Sequence, residues 1–296
     1  MFKGTLVALV TPFTAENEVD FETLCALIEW HIASGTDAIV LCGTTGEAPT
    51  LSEEEQISIF KEGVLAAGGR IPIIAGTGTY NTSDSIEMTR AAKDVGVDGA
   101  LVVVPYYSRP TPEGCFQHYQ AIAQVGLPMM IYHHSGRAGI KLPVKTLLRI
   151  AELPYVAAIK DSTGDLDYAT ELIQQSPVPV LTGDDPLILP TLAAGGVGVV
   201  SVVANLIPQE WKQLTTLLLD ERWKEARELF SRLYPLVKAM FLETNPQCVK
   251  YAMSVLGKCS SDMRLPLIQP QDDVKRQIAA ELSKICLIYR NNVNEL

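Results

Sequence analysis

Tyr155-Val156-Ala157-Ala158-Ile159-Lys160-Asp161-Ser162-Thr163-Gly164 is an apolar run that ends abruptly in a lysine and a polar, glycine-closed turn. Five apolar residues bounded by such a turn read as a strand buried on both faces. Lys160 then stands at the carboxyl end of that strand. Desolvation of an ammonium favours the neutral amine, which is the form that attacks a carbonyl carbon. The alternative is a lysine that marks where the strand reaches water, since most lysines are exposed.

Working outward, runs of the same kind recur at Leu6–Val10, Ala38–Leu41, Ile71–Ala75, Ala100–Val104, Pro128–Tyr132, Val156–Lys160, Pro179–Thr182 and Val197–Val202. Between them lie segments of helical periodicity with start and stop signals. Ser52-Glu53-Glu54-Glu55 has the form of a capping box. Thr111-Pro112, Asp185-Pro186 and Ile207-Pro208 place proline in a first helical turn, with Asp185 read as an N-cap. Gly35, Gly96 and Gly126 follow periodic segments, where a left-handed residue closes a helix. His31 shares a helix face with Leu24, Leu27 and Ile28 and reads as structural.

Strands alternating with helices over the first two thirds of the chain predict an α/β fold, a (β/α)8 TIM barrel, because a doubly wound sheet usually carries fewer strands. From about Gln209 the strand-like runs stop and amphipathic helices follow, at Arg222–Leu242 and Asp272–Ile288. The expected organisation is a catalytic barrel over residues 1–224 and a C-terminal helical extension over 225–296.

A chain of 296 residues that is 47% hydrophobic and 20% charged has an ordinary globular composition. The formal net charge of −10 and the lack of a basic run argue against nucleic acid or an anionic membrane as partner. The six cysteines, Cys25, Cys42, Cys115, Cys248, Cys259 and Cys286, are scattered and form no CxxC pair, which suggests neither zinc nor a disulfide framework. The first apolar run is too short for a secretory signal, and no stretch approaches a membrane span. A cytoplasmic location is expected.

In a barrel the chemistry gathers at the carboxyl ends of the strands. The second strand ends in Gly43-Thr44-Thr45-Gly46-Glu47, two hydroxyls and a run of backbone N–H groups suited to a carboxylate, or a solvated glycine turn. The fourth ends in Pro105-Tyr106-Tyr107 and the fifth in Tyr132-His133-His134. A tyrosine beside a desolvated lysine relays the protons of carbinolamine chemistry, although tyrosines at strand ends often only cap a core. Adjacent histidines point to opposite faces of a strand and cannot chelate one ion, so no metal is expected. Gly76-Thr77-Gly78 lacks the rest of a dinucleotide fingerprint, and Gly195-Gly196-Val197-Gly198 reads as a turn on the opposite side of the barrel.

These motifs, together with Gly183-Asp184-Asp185, Ser201 to Asn205, Asn245-Pro246 and Arg264-Leu265-Pro266-Leu267, occur in one order along essentially the whole chain. In that order the chain resembles the dihydrodipicolinate synthase and N-acetylneuraminate lyase superfamily, and within it the synthase branch. The resemblance implies that Lys160 forms a Schiff base with pyruvate and that Tyr132 moves protons at the imine nitrogen. It implies that Thr44 and Tyr107 complete the relay, Tyr107 coming from an adjacent subunit of a homo-oligomer, usually a tetramer. Thr45 would hold the pyruvate carboxylate, Arg137 would meet the carboxylate of L-aspartate 4-semialdehyde, and Gly183 and Val200 would line the substrate site. No cofactor is implied, since the protonated imine is itself the electron sink. The alternatives within the superfamily are a sugar-acid aldolase or a non-catalytic pyruvate-binding homologue; the apolar Val200 to Val203 offers little to a polyol.

Two departures from the resembled pattern stand out. After Tyr132 the synthases usually read Asn-Val-Pro-Ser-Arg, whereas this chain has His133-His134-Ser135-Gly136-Arg137, which keeps the arginine and loses the proline. The cleft that binds feedback lysine in some synthases would map to Ala48, Pro49, Glu53, Gln56, Tyr80, Asp84 and Tyr106, with Tyr80 replacing a small amide. Weak or absent inhibition by lysine is expected.

Overall fold

The computed structural model describes residues 2–293, with side chains described through 284. Eight parallel strands close into a barrel in sequence order. The chain runs β1 (Gly4–Ala8), α1 (Phe21–Ala33), β2 (Ala38–Leu41), α2 (Glu53–Ala67), β3 (Ile73–Gly76), α3 (Thr82–Asp94), β4 (Gly99–Val103) and α4 (Pro112–Ala123). It continues through β5 (Met129–His133), α5 (Ser135–Ala138), α6 (Val144–Ala151), β6 (Val156–Asp161), α7 (Leu166–Gln175), β7 (Val180–Thr182), α8 (Ile188–Ala193), β8 (Gly198–Ser201) and α9 (Pro208–Leu219). The extension adds α10 (Trp223–Ala239), α11 (Gln247–Val255) and α12 (Asp272–Val293).

Each expected strand is present, shifted by at most two residues at either end, because a run of β-branched and apolar residues fixes where a strand can be buried but not where its ladder stops. The helix signals also act as read. Ser52 and Glu55 exchange side chain-to-backbone hydrogen bonds at the start of α2, and Thr111 caps α4 ahead of Pro112. Gly35 and Gly96 take φ of +76° and +90° just past α1 and α3. His31 is buried, with Nδ1 2.9 Å from the hydroxyl of Thr36.

Asp185 is a correction. Asp184, not Asp185, holds the cap position before the short 3₁₀ turn Asp185–Leu187. The Asp185 carboxylate instead accepts the N–H groups of Val202 and Val203 at 2.8 and 3.0 Å, tying the β7 end to the β8 end. A fully buried carboxylate goes where backbone donors are unpaired, and those lie on the neighbouring strand end. Burial raises its carboxyl to about 6.

Alternation along the strands divides the core in two. Leu6, Ala8, Ala38, Val40, Ile74, Leu101, Met130, Tyr132, Ala158, Leu181 and Val200 fill the lumen, and a larger cluster lies between the barrel and its helices. The extension packs back on the barrel's carboxyl end. Lys250 of α11 meets Glu47 at 2.6 Å with both side chains fully buried, and the Arg264 N–H donates to the other Glu47 oxygen at 3.2 Å. The Arg264 guanidinium also binds the Glu55 carboxylate and the carbonyl of Asn17.

Among the described residues no helix is long and apolar enough to cross a membrane, and no three His, Cys, Asp or Glu side chains cluster as metal ligands. Cys25, Cys42, Cys115, Cys248 and Cys259 are free thiols, while the Cys286 side chain lies outside the described residues.

Candidate active site

The site begins with a register. Tyr132 of β5 pairs directly with Lys160 of β6, so both side chains point into the lumen at the same height. Lys160 is 6% exposed, and its Nζ lies 4.0 Å from the centroid of the Tyr132 ring. An ammonium over an aromatic face is held without a carboxylate partner, so its position is set while the amine is left free to react.

Gly183 at the end of β7 explains how the lysine fits. A Cβ there would stand 2.0 Å from Ser162 Oγ and 2.3 Å from Lys160 Cε. The missing side chain is the space that the lysine occupies, a role no local reading of Gly183-Asp184-Asp185 could supply.

Lys160 opens into a cavity of about 140 Å³ lined among others by Thr44, Thr45, Tyr132, Arg137, Asp184 and Asn245. Thr45 is buried and its Oγ accepts the Asn245 amide at 3.0 Å, which leaves the hydroxyl proton free to donate to a carboxylate. Asn245 thus supports Thr45 from the extension. Arg137 sits on the exposed turn α5 and reaches the Asn245 carbonyl at 3.4 Å. Burial raises the Asp184 carboxyl, against the opposing pull of Lys160.

Two of the expected site residues lie elsewhere within this chain. Val200 is fully buried in the lumen beneath the cavity, and Val202 lines the wall instead. Tyr107 is 90% exposed, with φ of +65°, and is not among the residues lining the cavity. A left-handed backbone is costly for an aromatic residue, which marks the turn as strained. Asp184, Asn245 and His134, which the sequence reading names only inside longer motifs and gives no individual role, also line the cavity; only the alternation past the end of β5 could have pointed to the last.

A second cavity of about 450 Å³ adjoins the first through Gly43, Thr44, Leu101, Tyr132 and Arg137. Its walls include Ala48, Pro49, Glu53, Gln56, Tyr80, Asp84 and Tyr106, the seven residues of the expected lysine cleft. Tyr80 stands edge-on to Tyr106 at 5.5 Å.

Behind Tyr132 and Lys160, on the outward faces of the same strands, His133 and Asp161 form a buried pair with Nδ1 to Oδ1 at 3.9 Å. The His133 Nε2 accepts the Leu142 N–H at 3.1 Å, which puts the ring proton on Nδ1, facing the carboxyl. Burial raises Asp161 from 3.8 to about 7 and lowers His133 from 6.5 to about 4. Between pH 3.8 and 7 the folded chain keeps a proton on Asp161 that the unfolded chain has released, so this group makes stability fall as pH rises. His133 acts in the opposite direction between about 4 and 6.5. Replacing Asp161 by Asn removes the first contribution, so the variant gains on the native chain as pH rises from about 5.5 to 7 and the gap is then constant. Urea midpoints across that range check it, and a gap independent of pH would refute the assignment.

The geometry has known counterparts. The model of the dihydrodipicolinate synthetase family matches residues 1–285. The 4-hydroxy-tetrahydrodipicolinate synthase of Aquifex aeolicus is 43% identical over 295 residues, covering 98% of this chain and 100% of that protein. A crystal structure of dihydrodipicolinate synthase from the same organism superposes with a TM-score of 0.95 over 97% of this chain and 99% of its own. The chloride-inhibited dihydrodipicolinate synthase of Acinetobacter baumannii, solved in complex with pyruvate, is 40% identical with a TM-score of 0.94, over 96% and 99% of the two chains. A monomeric dihydrodipicolinate synthase variant, 33% identical, has a TM-score of 0.93 over 96% of each chain. With a lysine and a tyrosine in register at the carboxyl end of the barrel and matches that run nearly end to end, the chain belongs to the dihydrodipicolinate synthetase family.

Proposed function

We propose that the chain is a 4-hydroxy-tetrahydrodipicolinate synthase, a Schiff-base-forming lyase that condenses pyruvate with L-aspartate 4-semialdehyde on the diaminopimelate route to lysine. The observation that carries this reading is the register of Tyr132 with Lys160, both of which line one cavity at the carboxyl end of the barrel.

The neutral Lys160 amine attacks the pyruvate ketone carbon, and Tyr132 supplies the proton that lets the carbinolamine lose water. The Thr45 hydroxyl and the backbone around Gly43–Gly46 hold the pyruvate carboxylate. Loss of a methyl proton gives the enamine, whose carbon attacks the aldehyde that Arg137 positions through its carboxylate. The amine of the second substrate then displaces the lysine by cyclisation, returning Lys160 to its free form. Thr44, half-buried between the two cavities, and Tyr107, presented to a neighbouring copy, extend the proton relay from Tyr132.

An exposed aromatic on a strained turn supports a homo-oligomer, and the tetramer is the arrangement proposed. A monomeric variant exists among the similar structures, so the fold alone does not impose assembly. The proposed division is a catalytic barrel over 1–224 and a helical extension over 225–296, in the cytoplasm, with no nucleic acid or membrane partner.

Borohydride reduction in the presence of pyruvate, followed by mass spectrometry, should place a covalent adduct on Lys160. Turnover should follow with L-aspartate 4-semialdehyde; preferential cleavage of a sialic or 2-keto-3-deoxy sugar acid would replace this reading by the aldolase one. Free lysine at concentrations up to the millimolar range should leave the rate nearly unchanged, because the Tyr80 ring stands in the cleft where a small amide would meet the amino acid. Strong inhibition at low lysine concentration would overturn that expectation.

A further inference from the structure

The turn after Tyr132 carries an imidazole into the reaction cavity. His134 lies one residue past β5, its ring packs edge-on to Tyr132 at 6.1 Å between centroids, and it lines the cavity with Lys160, Arg137 and Asp184. Its Nδ1 accepts the Arg137 N–H at 3.3 Å, so the proton of the neutral ring resides on Nε2. Burial, ahead of the nearby Arg137 and Lys160 charges, lowers the ring to about 4, so near neutral pH it is an uncharged donor.

Gly136 is matched to that ring. A Cβ at Gly136 would stand 3.3 Å from His134 Cε1 and 3.6 Å from Nδ1, a contact tighter than the ring tolerates without shifting. A histidine at 134 and the absence of a side chain at 136 therefore form one arrangement rather than two independent changes.

We propose that His134 is a specificity-determining residue for the acceptor aldehyde: its Nε2–H donates to the acceptor's carboxylate beside the Arg137 guanidinium. This inference rests on the proposed condensation. Arg137 alone is a cation on an exposed four-residue turn, its guanidinium held by a long hydrogen bond to the Asn245 carbonyl. An imidazole fixed by a backbone hydrogen bond and by the Tyr132 ring adds a donor of set direction, and a donor aimed at a carboxylate discriminates against aldehydes that lack one. No bond is made or broken at His134.

The test uses the full chain with His134→Val, His134→Gln, Gly136→Ala and the double variant H134V/G136A. Losing a hydrogen bond to a charged group should raise the KM for L-aspartate 4-semialdehyde about 10- to 100-fold in H134V, with the KM for pyruvate and borohydride trapping on Lys160 unchanged. Glutamine places an amide N–H near the Nε2 position and should restore most of the affinity. G136A, which requires the ring to give by a few tenths of an ångström, should raise the acceptor KM by less than H134V does, and the double variant should be no worse than H134V. An unchanged acceptor KM in H134V, a matching rise in the pyruvate KM, or additive losses in the double variant would each overturn the assignment. Native chain that traps no pyruvate would instead overturn the Schiff-base reading itself, so the two failures are distinguishable.

Discussion

Replacing Lys160 by methionine should abolish the borohydride-trapped pyruvate adduct and lower kcat by roughly 10⁵- to 10⁶-fold, the scale on which loss of a covalent nucleophile acts in other enzymes. Methionine suits the test because its unbranched chain can follow the path the lysine takes beside Gly183 and the Tyr132 ring. The fold should survive, since the substitution places an apolar group in an apolar lumen. Mass spectrometry after reduction reads the adduct, and the unfolding midpoint verifies that the barrel persists. A K160M chain that kept turnover within an order of magnitude of the native one would exclude Lys160 as the nucleophile.

Lys250→Met should produce the largest loss of stability. Lys250 and Glu47 face each other at 2.6 Å with no exposure of either side chain, so removing the cation leaves a carboxylate buried with only the Arg264 N–H as partner. Breaking a buried pair from one side costs about 3–5 kcal/mol, whereas removing both charges is often nearly neutral. For a domain of this size that corresponds to a fall in Tm of roughly 5–10 °C. The double variant E47Q/K250M should recover most of it, because glutamine keeps an acceptor for Arg264. Glu47 also closes the Thr44-Thr45 turn with φ of +56°, so K250M should weaken pyruvate binding in parallel. A single variant as stable as the native chain would show that water reaches Glu47.

How much of this was legible in the sequence follows from the range of each interaction. The eight strands were readable because burial on both faces leaves a continuous apolar run, a property of five neighbouring residues. The capping box of α2 and the proline starts were readable for the same reason, since their hydrogen bonds join residues three apart. Lys160, Tyr132, Thr44 and Thr45 could be named because the fold sends every strand end to one face. Asp185 was misread because its partners, Val202 and Val203, lie on another strand end.

By itself, then, the sequence determined the alternation of strand and helix, the barrel that follows from it, and the identity of the lysine and the hydroxyls at its mouth. Only the tertiary structure decided that Tyr132 stands level with Lys160, that Gly183 is the lysine's space, that Val202 rather than Val200 meets the cavity, and that His134 turns into it. The physical reason is one of distance along the chain. Burial and capping act between near neighbours and leave a pattern, whereas register, depth in the lumen and the space beside a side chain depend on groups tens of residues away.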